Sequence, residues 1–286
     1  MRRYALGLYE KATPAAIPWE ERLDAARGCG FDYLEISVDG TDDRLGRLEW
    51  PRERRERLRR AAFERELPIE TMCLSGHRQY PLGSRDDAVR RRALEIMAEA
   101  VDLAACLGVR LIQLAGYDVY AENGGPDTRK RFEEGLAACV ELASRAGVSL
   151  GLETMENGFM DTVSKAMVYV SRARSPYLGL YPDIGNLQNA CVLYGSDLLA
   201  DLAVGQGHIF AVHLKETRPG VYRNMRFGEG HTPYEPCVAL LHGMGVRRFT
   251  AECWHQGETD YQAALRAASR FLRGKIEAGI ALETAV

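Results

Sequence analysis

No run of apolar residues in this chain approaches the roughly 20 needed to cross a bilayer, and no C-x-x-C pair occurs among its seven cysteines. The first absence argues against a helical membrane span. The second, together with an odd count and wide spacing (Cys29, Cys73, Cys106, Cys139, Cys191, Cys237, Cys253), argues against a disulfide framework. Most of these cysteines fall inside apolar patterns, as buried free thiols do, so a reducing cytoplasm is the expected compartment. An excess of one charge is also lacking. Lys and Arg number 37 against 40 Asp and Glu, a formal net charge of -3, so neither nucleic acid nor a membrane surface is expected as a partner. Met1-Arg2-Arg3 is basic, but the apolar run behind it is short and broken by Glu10 and Lys11, so no signal peptide is expected. No G-x-G-x-x-G follows the first apolar run, which removes the main signal for a dinucleotide-binding open sheet.

What is present is a regular alternation of short apolar runs and longer helical patterns. Strands are expected at 4–10, 31–38, 68–75, 109–115, from 148 to 153, from 177 to 183, at 209–216 and at 248–254. Helices are expected from Pro18 to Gly28, over 51–66, 86–107, 128–146, 161–174 and about 196–204, after a capping box at Thr232-Pro233-Tyr234-Glu235, and over 259–278. Gly30, Gly108, Gly147 and Gly245 each separate a helix from the next strand, where glycine supplies the left-handed turn. The helix over 51–66 mixes Arg and Glu and reads as a solvated face, not as a basic binding patch. Eight strand–helix units in 286 residues fit one (β/α)₈ TIM barrel domain spanning 1–286, a fold of about 250 residues in its usual form.

In such barrels the chemistry gathers at the C-terminal ends of the strands. Four consecutive runs here end on metal-ligand side chains: Glu153, Asp183, His213 and Glu252. Strand parity places Gly151, Tyr181, Ala211 and Thr250 on the same inward face, with Leu152, Val212, Leu214 and Ala251 facing the helices. Phe210 is expected on the outward face with Val212 and Leu214, and Lys215, one pleat beyond His213, on the inward face. Three carboxylates and one imidazole suit a hard or borderline divalent ion, Mn²⁺, Mg²⁺, Co²⁺ or Zn²⁺, and the donor set does not choose among them.

Longer stretches carry a family likeness. Leu6-Gly7-Leu8-Tyr9-Glu10-Lys11-Ala12, Met72-Cys73-Leu74-Ser75-Gly76-His77-Arg78, Ile112-Gln113-Leu114-Ala115-Gly116-Tyr117-Asp118, Leu180-Tyr181-Pro182-Asp183-Ile184-Gly185-Asn186 and Phe227-Gly228-Glu229-Gly230 run from one end of the chain to the other. With them the chain resembles the sugar-phosphate members of the xylose-isomerase-like barrel superfamily, the L-ribulose-5-phosphate 3-epimerase family of ascorbate and L-xylulose utilisation in particular. The resemblance implies an isomerase with one divalent metal held by Glu153, Asp183, His213 and Glu252, in which Glu153 and Glu252 also act as the acid/base pair. The implied substrate is a small sugar phosphate. Lys215, His77, Glu229 and Asn186 are candidates to contact it. Asn186 stands where related free-ketose epimerases often carry His, and Glu216 where Asp is usual. Whether copies associate as a homo-oligomer is left open. An aldose–ketose isomerase on the same site is the nearest alternative. A multi-zinc DNA-repair endonuclease on this barrel would need more than six His and a basic face.

Overall fold

A computed structural model of the chain describes residues 3–283. Met1 and Arg2 of the basic start, and the last three residues of the expected domain, lie outside them. Eight strands alternate with helices: Ala5–Tyr9 (β1), Tyr33–Val38 (β2), Ile69–Leu74 (β3), Leu111–Ala115 (β4), Ser149–Glu153 (β5), Leu178–Leu180 (β6), Val212–Leu214 (β7) and Arg248–Ala251 (β8). Each pairs in parallel with its neighbour in the chain from β1 to β6, β7 pairs with β8, and β8 pairs back onto β1. Parallel bridges from Leu180 to Ile209 and from Asp183 to His213 close the remaining gap. The fold is a (β/α)₈ barrel.

Strand parity sorts the side chains into two regions. Leu6, Leu8, Leu34, Ile36, Met72, Leu74, Ile112, Leu114, Leu150, Leu152, Val212, Leu214, Phe249 and Ala251 face outward and form one continuous core with the helices. Those helices include Trp19–Gly28 (α1), Asp42–Leu45 (α2), Arg52–Glu64 (α3), Asp87–Leu107 (α4), Pro126–Arg145 (α5) and Val163–Ala173 (α6). Ile184–Tyr194 (α7), Leu198–Val204 (α8), Tyr234–Gly243 (α9) and Tyr261–Glu283 (α10) complete the ring. The alternate, inward set is largely polar, with Glu35, Ser37, Thr71, Gln113, Glu153, His213, Lys215 and Thr250 all buried, beside a small apolar cluster at Leu111, Tyr181 and Ala211. A polar barrel interior must be hydrogen-bonded throughout to be tolerated, and this one is built around the site.

Several local expectations are corrected. Ile209–Phe210 do not extend β7, because the bridges join 180 to 209 but 183 to 213, which leaves one extra residue on the β7 side. That extra residue turns Phe210 inward onto Leu111, Tyr181 and Ala211, against the outward face expected from simple alternation. Helix α7 was not anticipated. Gly185 and Asn186 in its first turn weaken the local helix signal, yet a Cβ at Gly185 would lie 2.7 Å from the Lys215 carbonyl oxygen. Close docking of α7 on β7 therefore requires glycine there. The capping box at 232–235 does not form: α9 starts after Pro233 without a side-chain cap. Thr232 instead donates its hydroxyl to the Lys215 carbonyl (2.9 Å) and its N–H to the Glu216 carboxylate (3.2 Å). The four inter-element glycines do adopt positive φ, from 66° at Gly147 to 92° at Gly245.

Candidate metal centre at the strand ends

Glu153 closes β5, His213 is the centre of β7, and Asp183 and Glu252 follow β6 and β8. One ligating atom from each lies within 4.8 Å of the other three. The backbone fixes this convergence. The Glu252 N–H donates to the Leu214 carbonyl (2.9 Å), holding it level with β7, and the His213 N–H donates to the Pro182 carbonyl (2.9 Å). Asp183 is also the N-cap of α7, its Oδ1 accepting the Asn186 N–H at 2.8 Å. That bond uses one carboxylate oxygen for the helix and turns the other, Oδ2, into the barrel.

The inner contacts are short. His213 Nδ1 lies 2.8 Å from Glu153 Oε1 and 3.4 Å from Glu252 Oε2. Its Nε2 lies 2.7 Å from Oε1 of Glu35. Lys215 Nζ stands 2.8 Å from Asp183 Oδ2 and 3.2 Å from Glu252 Oε2. Gln113 donates its side-chain N–H to Glu153 Oε2. The electrostatics follow from burial among like and unlike charges. Burial, then the nearby Glu252, raises the Glu153 carboxyl, and burial raises Asp183 well above the carboxylate range despite Lys215. For Glu252 burial acts upward too, but Lys215 and His213 outweigh it and hold the group well below its usual range. Burial would lower His213, but Glu35, Glu252 and Glu153 together raise it well above a free imidazole.

The donor set fits a divalent cation. Among the described residues, Asp183 Oδ2 and Glu252 Oε2 are buried oxygens that accept no aligned hydrogen bond, although Lys215 lies within ion-pair distance of both. Three carboxylates and an imidazole could hold one hard or borderline ion without thiolate help. Chemically, the arrangement can bind a cation and offer two glutamates on separate strands to one small molecule.

Not every candidate residue joins this cluster. His77 is buried on the turn Gly76–Arg78, but its Nε2 bonds to the Ala93 carbonyl (3.0 Å), pointing the ring at α4. Glu229 lies on the loop after β7, where its carboxylate accepts the Arg226 N–H (3.2 Å). Asn186 sits beside Asp183 and donates its side-chain N–H to the Thr154 carbonyl (2.8 Å), while its buried Oδ1 has no hydrogen-bond partner among the described residues. Lys215 pairs inside the cluster and not with Glu10, which Arg47 holds at 2.7 Å. Glu216 accepts the Gly228 N–H (2.7 Å) and so anchors the loop over the barrel end. Around that end, Trp254 packs edge-on against Tyr9, with Lys215 and Arg223 against its ring. Arg78 lies over the rings of Tyr117 and Tyr120. His255 is held by its backbone N–H on the Lys11 carbonyl, with Nδ1 near Glu258. Two residues of the site were missed, Glu35 and Gln113. Their signal was available: each is a polar residue at inward parity in the middle of an apolar strand.

The fold and this site together match a known class. The family model described as xylose isomerase-like TIM barrel matches residues 23–275. Among curated proteins, the L-ribulose-5-phosphate 3-epimerase UlaE of Escherichia coli is 45% identical over 276 residues, covering 96% of each chain. Among solved structures, an L-ribulose 3-epimerase superposes with a TM-score of 0.78 at 20% identity, covering 99% of this chain and 97% of that one. A D-tagatose 3-epimerase-like protein superposes with a TM-score of 0.80 at 18% identity, covering 99% and 100%. The chain belongs to the xylose isomerase-like TIM barrel family and, within it, to the L-ribulose-5-phosphate 3-epimerases.

Proposed function

We propose that this enzyme interconverts L-ribulose 5-phosphate and L-xylulose 5-phosphate by inverting C3, with Glu153 and Glu252 as the acid/base pair. The observation that carries the reading is the convergence of those two glutamates with Asp183 and His213, in a chain 45% identical to an L-ribulose-5-phosphate 3-epimerase. Glu153, Asp183, His213 and Glu252 would hold the cation, one of Mn²⁺, Zn²⁺, Co²⁺ or Mg²⁺. When bound, it supplies Lewis-acid stabilisation of negative charge developing on the substrate oxygens.

The residues supply the rest. One glutamate removes the C3 proton. The C–H electron pair moves into a C2–C3 double bond and the carbonyl electrons go to the C2 oxygen, giving a cis-enediolate. The second glutamate returns a proton to the opposite face of C3, and the roles exchange in the reverse direction. Gln113, bonded to Glu153 Oε2, holds that carboxylate in place, so less ordering is left to the reaction itself. Lys215 lies next to Asp183 and Glu252, and its ammonium is placed to meet an oxygen of the sugar. A phosphorylated sugar as substrate fits a cytoplasmic enzyme. Among the described residues no helix is long and apolar enough to cross a membrane.

The test is turnover of L-ribulose 5-phosphate and of L-ribulose after chelation, then after add-back of each of the four ions. The phosphate ester is expected to be strongly preferred and activity to return with an added cation. Equal efficiency on the free sugar would refute the phosphate assignment, and full activity after chelation would refute the metal.

A further inference from the structure

Glu35 takes no part in the chemistry above, yet it is fully buried at the centre of β2, a strand with no exposed residue. A buried carboxylate is costly unless its oxygens are satisfied, and an apolar side chain would often be more stable in its place. Its contacts explain its presence. Oε2 accepts from the Thr71 hydroxyl (2.8 Å) and from the Tyr181 hydroxyl (2.9 Å). The Tyr181 oxygen is also 2.6 Å from Thr250 Oγ1, and the Tyr33 hydroxyl lies 2.7 Å from that same atom. Side chains from several strands thus fix one oxygen of the carboxylate and leave Oε1 facing His213 Nε2 at 2.7 Å.

We propose that Glu35 is a positioning residue that selects Nδ1 of His213 as the cation ligand by accepting the Nε2 proton. This inference rests on the reading that Glu153, Asp183, His213 and Glu252 hold a cation. A neutral imidazole has one N–H and one lone pair, and the hydrogen bond made by one nitrogen decides which of them the other offers. Carboxylates face both nitrogens, but Glu153 and Glu252 belong to the cation-ligand set and Glu35 does not, so a bound cation would take the place of the Nδ1 proton while Glu35 keeps the proton on Nε2. The lone pair is then on Nδ1, the nitrogen facing Glu153 and Glu252 at 2.8 and 3.4 Å. Tyr181, edge-on to the imidazole with ring centroids 4.7 Å apart, opposes rotation of the ring. Partners of this kind orient metal-binding histidines in general, and their loss weakens metal binding by about 10–100-fold.

The direct test uses the intact wild-type protein loaded with Zn²⁺, which is diamagnetic, and long-range ¹⁵N correlation of the His213 ring. The expected spectrum has Nε2 protonated and Nδ1 ligated. Ligation through Nε2 would overturn the inference. A second measurement is Zn²⁺ affinity by chelator competition. Glu35→Leu, which removes the acceptor, is expected to bind about 10–100-fold more weakly. Tyr181→Phe, which keeps the carboxylate and one of its donors, should lose less. Wild-type affinity in Glu35→Leu would also overturn the inference while leaving the metal site intact. If Zn²⁺ does not bind the wild type, or binds a His213→Ala variant equally well, the metal reading itself falls and this inference falls with it.

Discussion

Replacing Lys215 with Met should destabilise the chelated protein far more than the metal-loaded one. The side chain is buried, and Nζ lies 2.8 Å from Asp183 Oδ2 and 3.2 Å from Glu252 Oε2. Among the described residues, four carboxylates, from Glu35, Glu153, Asp183 and Glu252, surround two bases, His213 and Lys215. Met keeps most of the aliphatic stem, so packing is largely conserved. What is lost is the charge that compensates Asp183 and Glu252, and removing one partner of a buried pair costs about 3–5 kcal/mol. At about 2 °C per kcal/mol, the lower end of the usual range, the midpoint should fall by about 6–10 °C. A divalent cation at the same oxygens restores the missing positive charge, so saturating Mn²⁺ should recover more than half of that loss. The assay is thermal unfolding of both proteins in chelator and in Mn²⁺. An equal drop in the two conditions, or no drop in chelator, would refute this account of how the cluster is balanced.

Other expectations concern catalysis, packing and pH. Glu153→Gln and Glu252→Gln should each lower turnover by at least about 10²–10⁴-fold even where metal remains bound, and near-normal turnover in either would remove its acid/base role. Gly7→Ala would place a Cβ 2.1 Å from Tyr33 Cε2. The ring must then move off its hydrogen bond to Thr250, at a cost of about 1–3 kcal/mol, and an unchanged urea midpoint would contradict that. Burial opposes ionisation of Asp39, but Lys11 and Thr41 outweigh it and hold the carboxyl at about 2, against an ordinary 3.8. A folded-state value below the unfolded one stabilises above pH 3.8, and that contribution fades as pH falls toward 2. The melting difference between wild type and Asp39→Asn should therefore shrink across this window, and a constant difference would be inconsistent with it.

The parts of this architecture that depend on local pattern were legible in the sequence. Apolar runs ending on Glu153, Asp183, His213 and Glu252 carry both the barrel count and the inward parity, and the structure brings the four together. Lys215 follows from the same alternation. What was not legible depends on contacts distant in the chain. Phe210 turned inward because the pairing of β7 with β6 gains one residue, which alternation within a single strand does not reveal. Helix α7 exists because Gly185 lets it dock on Lys215, a tertiary gain that outweighs weak local propensity. His77 sits at the correct end of β3, but its ring direction is set by a carbonyl of α4. Glu35 and Gln113 lie in the interiors of β2 and β4, away from the strand ends where the ligand pattern stands out.

Epimerisation by this site requires that a proton leave and return at C3. The measurement is turnover of L-ribulose 5-phosphate in D₂O, followed by NMR of the product and of recovered substrate. Deuterium is expected at C3 and nowhere else, with Glu153→Gln and Glu252→Gln each failing to give labelled L-xylulose 5-phosphate. Deuterium at C1 or C2, or epimerised product carrying no deuterium at any carbon, would contradict it.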